Sequence, residues 1–115
     1  MKYKNDEKDC KSSRMAIKDT MEVINGKWKL VILVTLFEKK MRFKELSRAI
    51  EISPRILSRE LQDLEMNNLV SRTVLDTKPV SVEYAITEYS KTLADVIIAM
   101  QKWGLQHRKI IIGGK

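Results

Sequence analysis

The 115-residue chain has one Cys, one His, two Pro and four Gly, and no long hydrophobic run. One thiol closes no internal disulfide, and one Cys with one His cannot build a Cys/His zinc cluster. A Gly-rich phosphate loop, an HExxH motif and a nucleophile beside a base are all missing. The sole His, His107, also lies far along the chain from the sole Cys, Cys10. These absences argue against an enzyme and imply neither cofactor nor metal. The most nearly continuous apolar stretch, Leu30 to Phe37, is far short of the roughly 20 residues a membrane span needs. Met1-Lys2-Tyr3-Lys4-Asn5 opens no signal peptide. The expectation is a cytoplasmic protein of one small domain, with no membrane partner.

What the chain does have is positive charge: 22 Lys plus Arg against 15 Asp plus Glu, a formal +7. Such an excess points to an anionic partner, chiefly nucleic acid, if it gathers on one face. From Lys39 to Arg59 there are seven basic residues against Glu45 and Glu51. Four more lie between Lys102 and Lys115 with no acid, whereas the first 22 residues nearly cancel. The central block is therefore the part that needs a function.

Hydrophobic periodicity orders the chain. Residues 1–13 are polar and charge-mixed, which reads as a flexible arm. Residues 14–107 read as the domain, and 108–115 as a basic tail. Ala16, Ile17, Thr20, Met21, Val23 and Ile24 fit a helix that stops at Asn25-Gly26. Lys27 to about Lys39 is apolar on nearly all sides and reads as a buried central helix, although Val-Ile-Leu-Val also suits a strand. After a link at Met41-Arg42-Phe43, Phe43, Leu46, Ala49 and Ile50 have helical spacing. Ser53-Pro54 is a helix start: Ser is a good N-cap, and Pro at the first helical position gives up an N–H that would be unused. Leu57, Leu61 and Leu64 then recur at i, i+4, i+7. The period next changes to 2, with Val80, Val82, Tyr84 and Ile86 alternating with polar or small residues after the β-branched run Val70 to Leu75. Thr87 is placed to cap a long last helix, about Glu88 to His107.

Two short helices joined by a tight turn and followed by a hairpin make a winged helix-turn-helix, mainly α with a small β-hairpin. Opposite the leucine row of the second helix lie Arg55, Ser58, Arg59 and Gln62, all on one face. Arg matches guanine, Gln matches adenine, and Ser suits phosphates or base edges, which is the chemistry of a major-groove reader. Ser53, at the start of the same helix, is counted with them among the DNA-binding residues of the recognition helix. Arg42, Lys44 and the wing-tip Lys78 are expected to hold phosphates; Lys27 and Lys29 are weaker candidates for that role. A charged helix face is often merely solvated, but here the basic block, this face and the wing tip coincide. A winged helix used as a protein-interaction module is the rival reading, and it predicts apolar residues on that face.

Gly26-Lys27-Trp28-Lys29, Arg42-Phe43-Lys44-Glu45-Leu46, Ile52-Ser53 with Leu57, Leu61-Gln62-Asp63-Leu64-Glu65 and Val82-Glu83-Tyr84-Ala85-Ile86-Thr87-Glu88 closely resemble HxlR-type bacterial transcriptional regulators, relatives of the MarR group. The resemblance covers about Cys10 to Gly104. It implies a dimer formed by the first and last helices, the helix from Pro54 in the major groove of double-stranded DNA, and the wing near the minor groove. Surplus apolar stripes support a homodimer independently, with Met15, Met21, Val96, Ile97, Met100 and Trp103 at the interface. Two recognition helices about 34 Å apart would then demand a pseudo-palindromic operator. The resemblance also implies that Cys10 can act as a redox sensor for an oxidant or electrophile effector. Lys11, following it, stands where members commonly have Pro. Trp28 and Trp103 invite a small-molecule pocket, although Trp at helical spacing is more often core. His107 is expected to cap helix carbonyls and not to bind metal.

Overall fold

The computed structural model describes residues 7–113. Helix α1 (Glu7–Ile24) ends at Asn25-Gly26, where Gly26 takes φ +83° and lets the chain reverse into α2 (Lys29–Glu38). Strand β1 (Met41–Arg42) leads into α3 (Phe43–Ile50), a three-residue turn and α4 (Pro54–Met66). Strands β2 (Val70–Leu75) and β3 (Ser81–Ile86), a 3₁₀ turn (Tyr89–Leu93) and α5 (Ala94–Ile111) complete the chain. This is a winged helix-turn-helix: mostly helical, with a small antiparallel sheet.

The core lies where α2, α3 and α4 meet the sheet. Ile32, Leu33 and Leu36 of α2, Leu46 of α3, and Leu57, Leu61 and Leu64 of α4 are all at most 2% exposed. Leu69, Val70, Tyr84 and Ile97 close it from the wing and α5. The central helix is thus buried as expected, and no part of it is a strand.

Several expectations need correction. The segment expected as a flexible arm is helical from Glu7 onward, so Cys10 sits within α1; residues 1–6 lie outside the described residues. Charged helix formers without Gly or Pro carry the helix beyond the apolar stripe at its end. The basic tail is shortened likewise, since α5 runs to Ile111. The last helix does not begin at Glu88: Thr87 Oγ1 accepts the Ser90 N–H at 3.1 Å, but the segment it caps is the 3₁₀ turn. The hairpin is one part of a three-stranded sheet in the order β1-β3-β2, with Met41 opposite Tyr84 and Arg42 opposite Glu83. Met41 and Arg42 of the expected link therefore satisfy their backbone by pairing with the free edge of β3.

Candidate nucleic-acid interface

The turn between α3 and α4 is set by backbone chemistry. Glu51 adopts a left-handed conformation, φ 54°, and the Ile52 N–H returns to the Ser47 carbonyl at 3.1 Å. The Ser47 hydroxyl donates to the Ile52 carbonyl at 2.7 Å and closes the corner. Ser53 then caps α4, its Oγ accepting the Ile56 N–H at 3.3 Å, with Pro54 at the first helical position. With the leucine row turned inward, Arg55, Ser58, Arg59 and Gln62 are all exposed. Ser53 is exposed too, with its oxygen engaged as the cap.

A buried ammonium braces the back of this helix. Lys29 is 5% exposed, and its Nζ lies 3.0 Å from Glu60 Oε1, 3.2 Å from Asp63 Oδ2 and 3.2 Å from Asn25 Oδ1. Burial alone would lower the Lys29 pKa, but hydrogen bonds and charge from Glu60 and Asp63 outweigh it and raise the pKa above its ordinary value. Lys29 is thus no phosphate contact; it ties the end of α1 and the start of α2 to α4. Lys27 instead lies over the Trp28 ring, 4.9 Å from its centre, and Trp28 packs partly buried against the core.

The remaining cations divide into two groups. Lys40 reaches Glu83 at 3.7 Å and Lys91 reaches Glu88 at 2.9 Å. Among the described residues, no ion pair engages Arg42, Lys44, Arg55, Arg59 or Lys78, all of which are exposed. Arg42 caps α3, its backbone N–H donating to Glu45 Oε1 at 2.9 Å while its side chain remains in solvent. Lys78 stands at the wing tip, between β2 and β3.

Arg72 has no place among the residues expected from the sequence. It lies opposite Tyr84 in the hairpin and lines a cleft of about 350 Å³ with Ser58, Gln62 and Glu65 of α4. Its even spacing from the buried Val70 was the available signal, because residues i and i+2 share a face. Glu65 also lines this cleft, so the α4 face is not free of acid at its C-terminal end.

The second exposed feature is apolar. Met15 and Met21 of α1 and Met100 and Trp103 of α5 are 50–64% exposed, and Val96 is also exposed. Ile97 departs from the expected interface set: at 6% exposure it belongs to the chain's own core, because successive helical residues point about 100° apart. His107 stacks on Trp103, ring centres 4.7 Å apart, and α5 continues past it, so it caps no terminal carbonyl. Among the described residues no group of His, Cys, Asp and Glu could hold a metal ion, and no helix is long and apolar enough to cross a membrane.

Residues 23–111, from the end of α1 to the end of α5, match the family model described as HxlR-like helix-turn-helix. This chain belongs to the HxlR-like family. YtcD of Bacillus subtilis, named an HTH-type transcriptional regulator, is 35% identical over 104 residues, 90% of this chain and 82% of the relative. The solved structure of the redox regulator HypR in its reduced form aligns with TM-score 0.78 and 33% identity, covering 85% of this chain and 98% of that one. Reduced YodB from B. subtilis aligns with TM-score 0.70 and 34% identity over 79% of this chain and 90% of its own. The HxlR-like chain described here is accordingly a transcriptional regulator with a helix-turn-helix domain, and not an enzyme.

Proposed function

We propose that this chain acts as a homodimeric repressor on a pseudo-palindromic duplex operator, with α4 in the major groove. The observation that carries the reading is the set of exposed polar side chains on α4, backed by a core helix row and an internal brace. Arg55, Ser58, Arg59 and Gln62 read base edges, with Ser53 contacting DNA at the start of the same recognition helix, while Arg42, Lys44 and Lys78 hold backbone phosphates. Met15, Met21, Val96, Met100 and Trp103 are the proposed seam between two copies. A compact protein seated on a promoter blocks access to it, which gives repression as the sign.

The test is a binding titration against operator and random duplexes over a range of salt. Affinity should fall steeply with salt, because each neutralised phosphate releases counterions. Arg59→Ala should cost about 1–3 kcal/mol on operator and relax preference at one base position. Equal losses on operator and random DNA would remove Arg59 from the base readers. No salt-dependent DNA binding at all would favour the rival, a protein-interaction module.

The responsive part of the reading concerns Cys10, now within α1 beside the proposed seam. Two relatives favour it: HypR is described as a redox regulator, and YodB has been solved in reduced and diamide-treated forms. Oxidation of Cys10 would alter how two α1 helices sit and so the spacing of the recognition helices. Oxidant titration of DNA affinity in the parent and in Cys10→Ser tests it. An identical response in both ends the idea.

A further inference from the structure

The cleft between α4 and the base of the wing holds charges of both signs. Glu65 follows Gln62 by three positions on α4 and extends the exposed polar row by a turn, since residues i and i+3 are neighbours on a helix surface. Arg72 comes from the other wall. It lies two residues beyond the buried Val70 in β2 and opposite Tyr84 in β3, which turns it towards α4. Ser58, Gln62 and Tyr84 complete the lining of a space of about 350 Å³.

Glu65 and Arg72 are both exposed, and among the described residues no ion pair engages either, with each other or with a third group. A carboxylate and a guanidinium that share a cleft without pairing suit a ligand with a donor and acceptors side by side. A backbone phosphate fails this condition, because Glu65 would repel it, and a bare cation fails it at Arg72. The major-groove edge of a C·G base pair meets it: the cytosine N4 amine donates, and guanine O6 and N7 accept. Adenine offers a comparable amine, but its partner thymine shows the guanidinium a single acceptor beside a methyl group.

We propose that Glu65 and Arg72 together read one C·G base pair, Glu65 accepting from cytosine N4 and Arg72 donating to guanine O6 and N7. The pair lies beyond the one read by Gln62, on the wing side of the recognition helix. This role rests on the operator-binding reading above and gives the base of the wing a share in sequence readout. Neither side chain meets a phosphate, so neither adds to the counterions released on binding.

The experiment selects bound duplexes from random DNA with the full chain, Glu65→Gln and Arg72→Gln. The parent's preferred duplex and its single-pair substitutions are then titrated over a range of salt. One C·G pair in each half-site is expected to be favoured about ten-fold over its alternatives. Both variants should lose preference at that same pair and keep the rest of the site, with Glu65→Gln accepting adenine in place of the cytosine because an amide suits adenine. Replacing the guanine by 7-deazaguanine removes N7 alone, and should weaken the parent about five-fold and Arg72→Gln by less than about two-fold. Arg72→Lys keeps the charge without the planar fork, so it should relax the pair as Arg72→Gln does; a phosphate contact would instead be largely restored. A salt slope lower by about one in Arg72→Gln, with all sequences weakened alike, would assign Arg72 to a phosphate and overturn the proposal. Relaxation at two different pairs, or an equal response of parent and Arg72→Gln to 7-deazaguanine, would overturn it too. A parent that selects a site without any preferred C·G pair removes this role alone, before any variant is made. A parent with no salt-dependent duplex binding removes the operator reading and this role together.

Discussion

Beneath α4, Leu57, Leu61 and Leu64 are at most 1% exposed, the helix start is capped, and the buried ammonium of Lys29 has three partners. Along α1 and α5, Ile17, Met21, Trp103 and Leu105 are each more than half exposed. The α4 region is completed by its own chain, and apart from Pro54 and Met66 at the helix ends what it leaves outside is polar or charged. The α1/α5 region is not completed, and what it leaves outside includes a broad run of large apolar side chains. The contrast separates two kinds of unfinished surface. Unpaired cations hydrate well and wait for an anion, whereas exposed apolar area costs about 25 cal/mol per Å² and is relieved by another apolar face.

Reversing the character of the apolar face should have the greatest consequence. Trp103→Glu removes an aromatic anchor from the proposed seam and sets a carboxylate there, weakening self-association by about a hundred-fold or more. Sedimentation velocity on parent and variant measures it. The single chain should stay folded by circular dichroism, because Trp103 contributes little to its own core at 64% exposure. A parent chain that sediments as a monomer at tens of micromolar would undo the contrast, since the apolar face would then have no second copy to meet.

Next in size is the brace behind α4. Lys29→Met leaves Glu60, whose side chain is 12% exposed, as an uncompensated buried charge, at a cost of about 3 kcal/mol in urea unfolding. Adding Glu60→Leu should recover most of that loss, as replacing both partners of a buried pair usually does. Asp63, half exposed, should matter less. The Lys29 pKa is raised on folding, so its contribution is complete below the unfolded lysine value of about 10.4 and is lost as pH rises through the folded value. The parent should therefore lose stability above that pH more steeply than the double variant.

The same contrast explains what could be read from the sequence. The Ser53-Pro54 start, the leucine row and the α3–α4 pairing were legible because each is a local pattern of a few residues. Strand β1 was not, since two residues carry no period and Met41-Arg42 becomes a strand only when β3 offers an edge. Lys29 looked like a surface residue because lysine usually is one, and its partner Glu60 lies 31 positions away. Val96 and Ile97 shared one apolar stripe, and packing alone decides that Ile97 turns inward. Arg72 hid in a β-branched run whose outer half is exposed, where the alternation that aims it at α4 is weak. The helical start of α1 escaped for the opposite reason: it has propensity without periodicity.

A much smaller loss at the start of α4 separates the two regions most cleanly. Ser53→Ala removes the side-chain oxygen that accepts the Ile56 N–H and should cost about 1 kcal/mol, while Ser53→Gly costs only a few tenths. Because that hydrogen bond lies within one chain, the loss should not depend on protein concentration, and it should add to that of Trp103→Glu. Stability lost at the seam behaves differently: it grows on dilution, since association stabilises by mass action. Chemical denaturation of Ser53→Ala at two concentrations about a hundred-fold apart therefore reads the two regions separately. An identical Ser53→Ala decrement at both concentrations, beneath a parent midpoint that falls on dilution, is the expected result. A decrement that vanishes on dilution would mean that the α4 end draws its order from the second copy, and the division between a completed and an uncompleted region would fail.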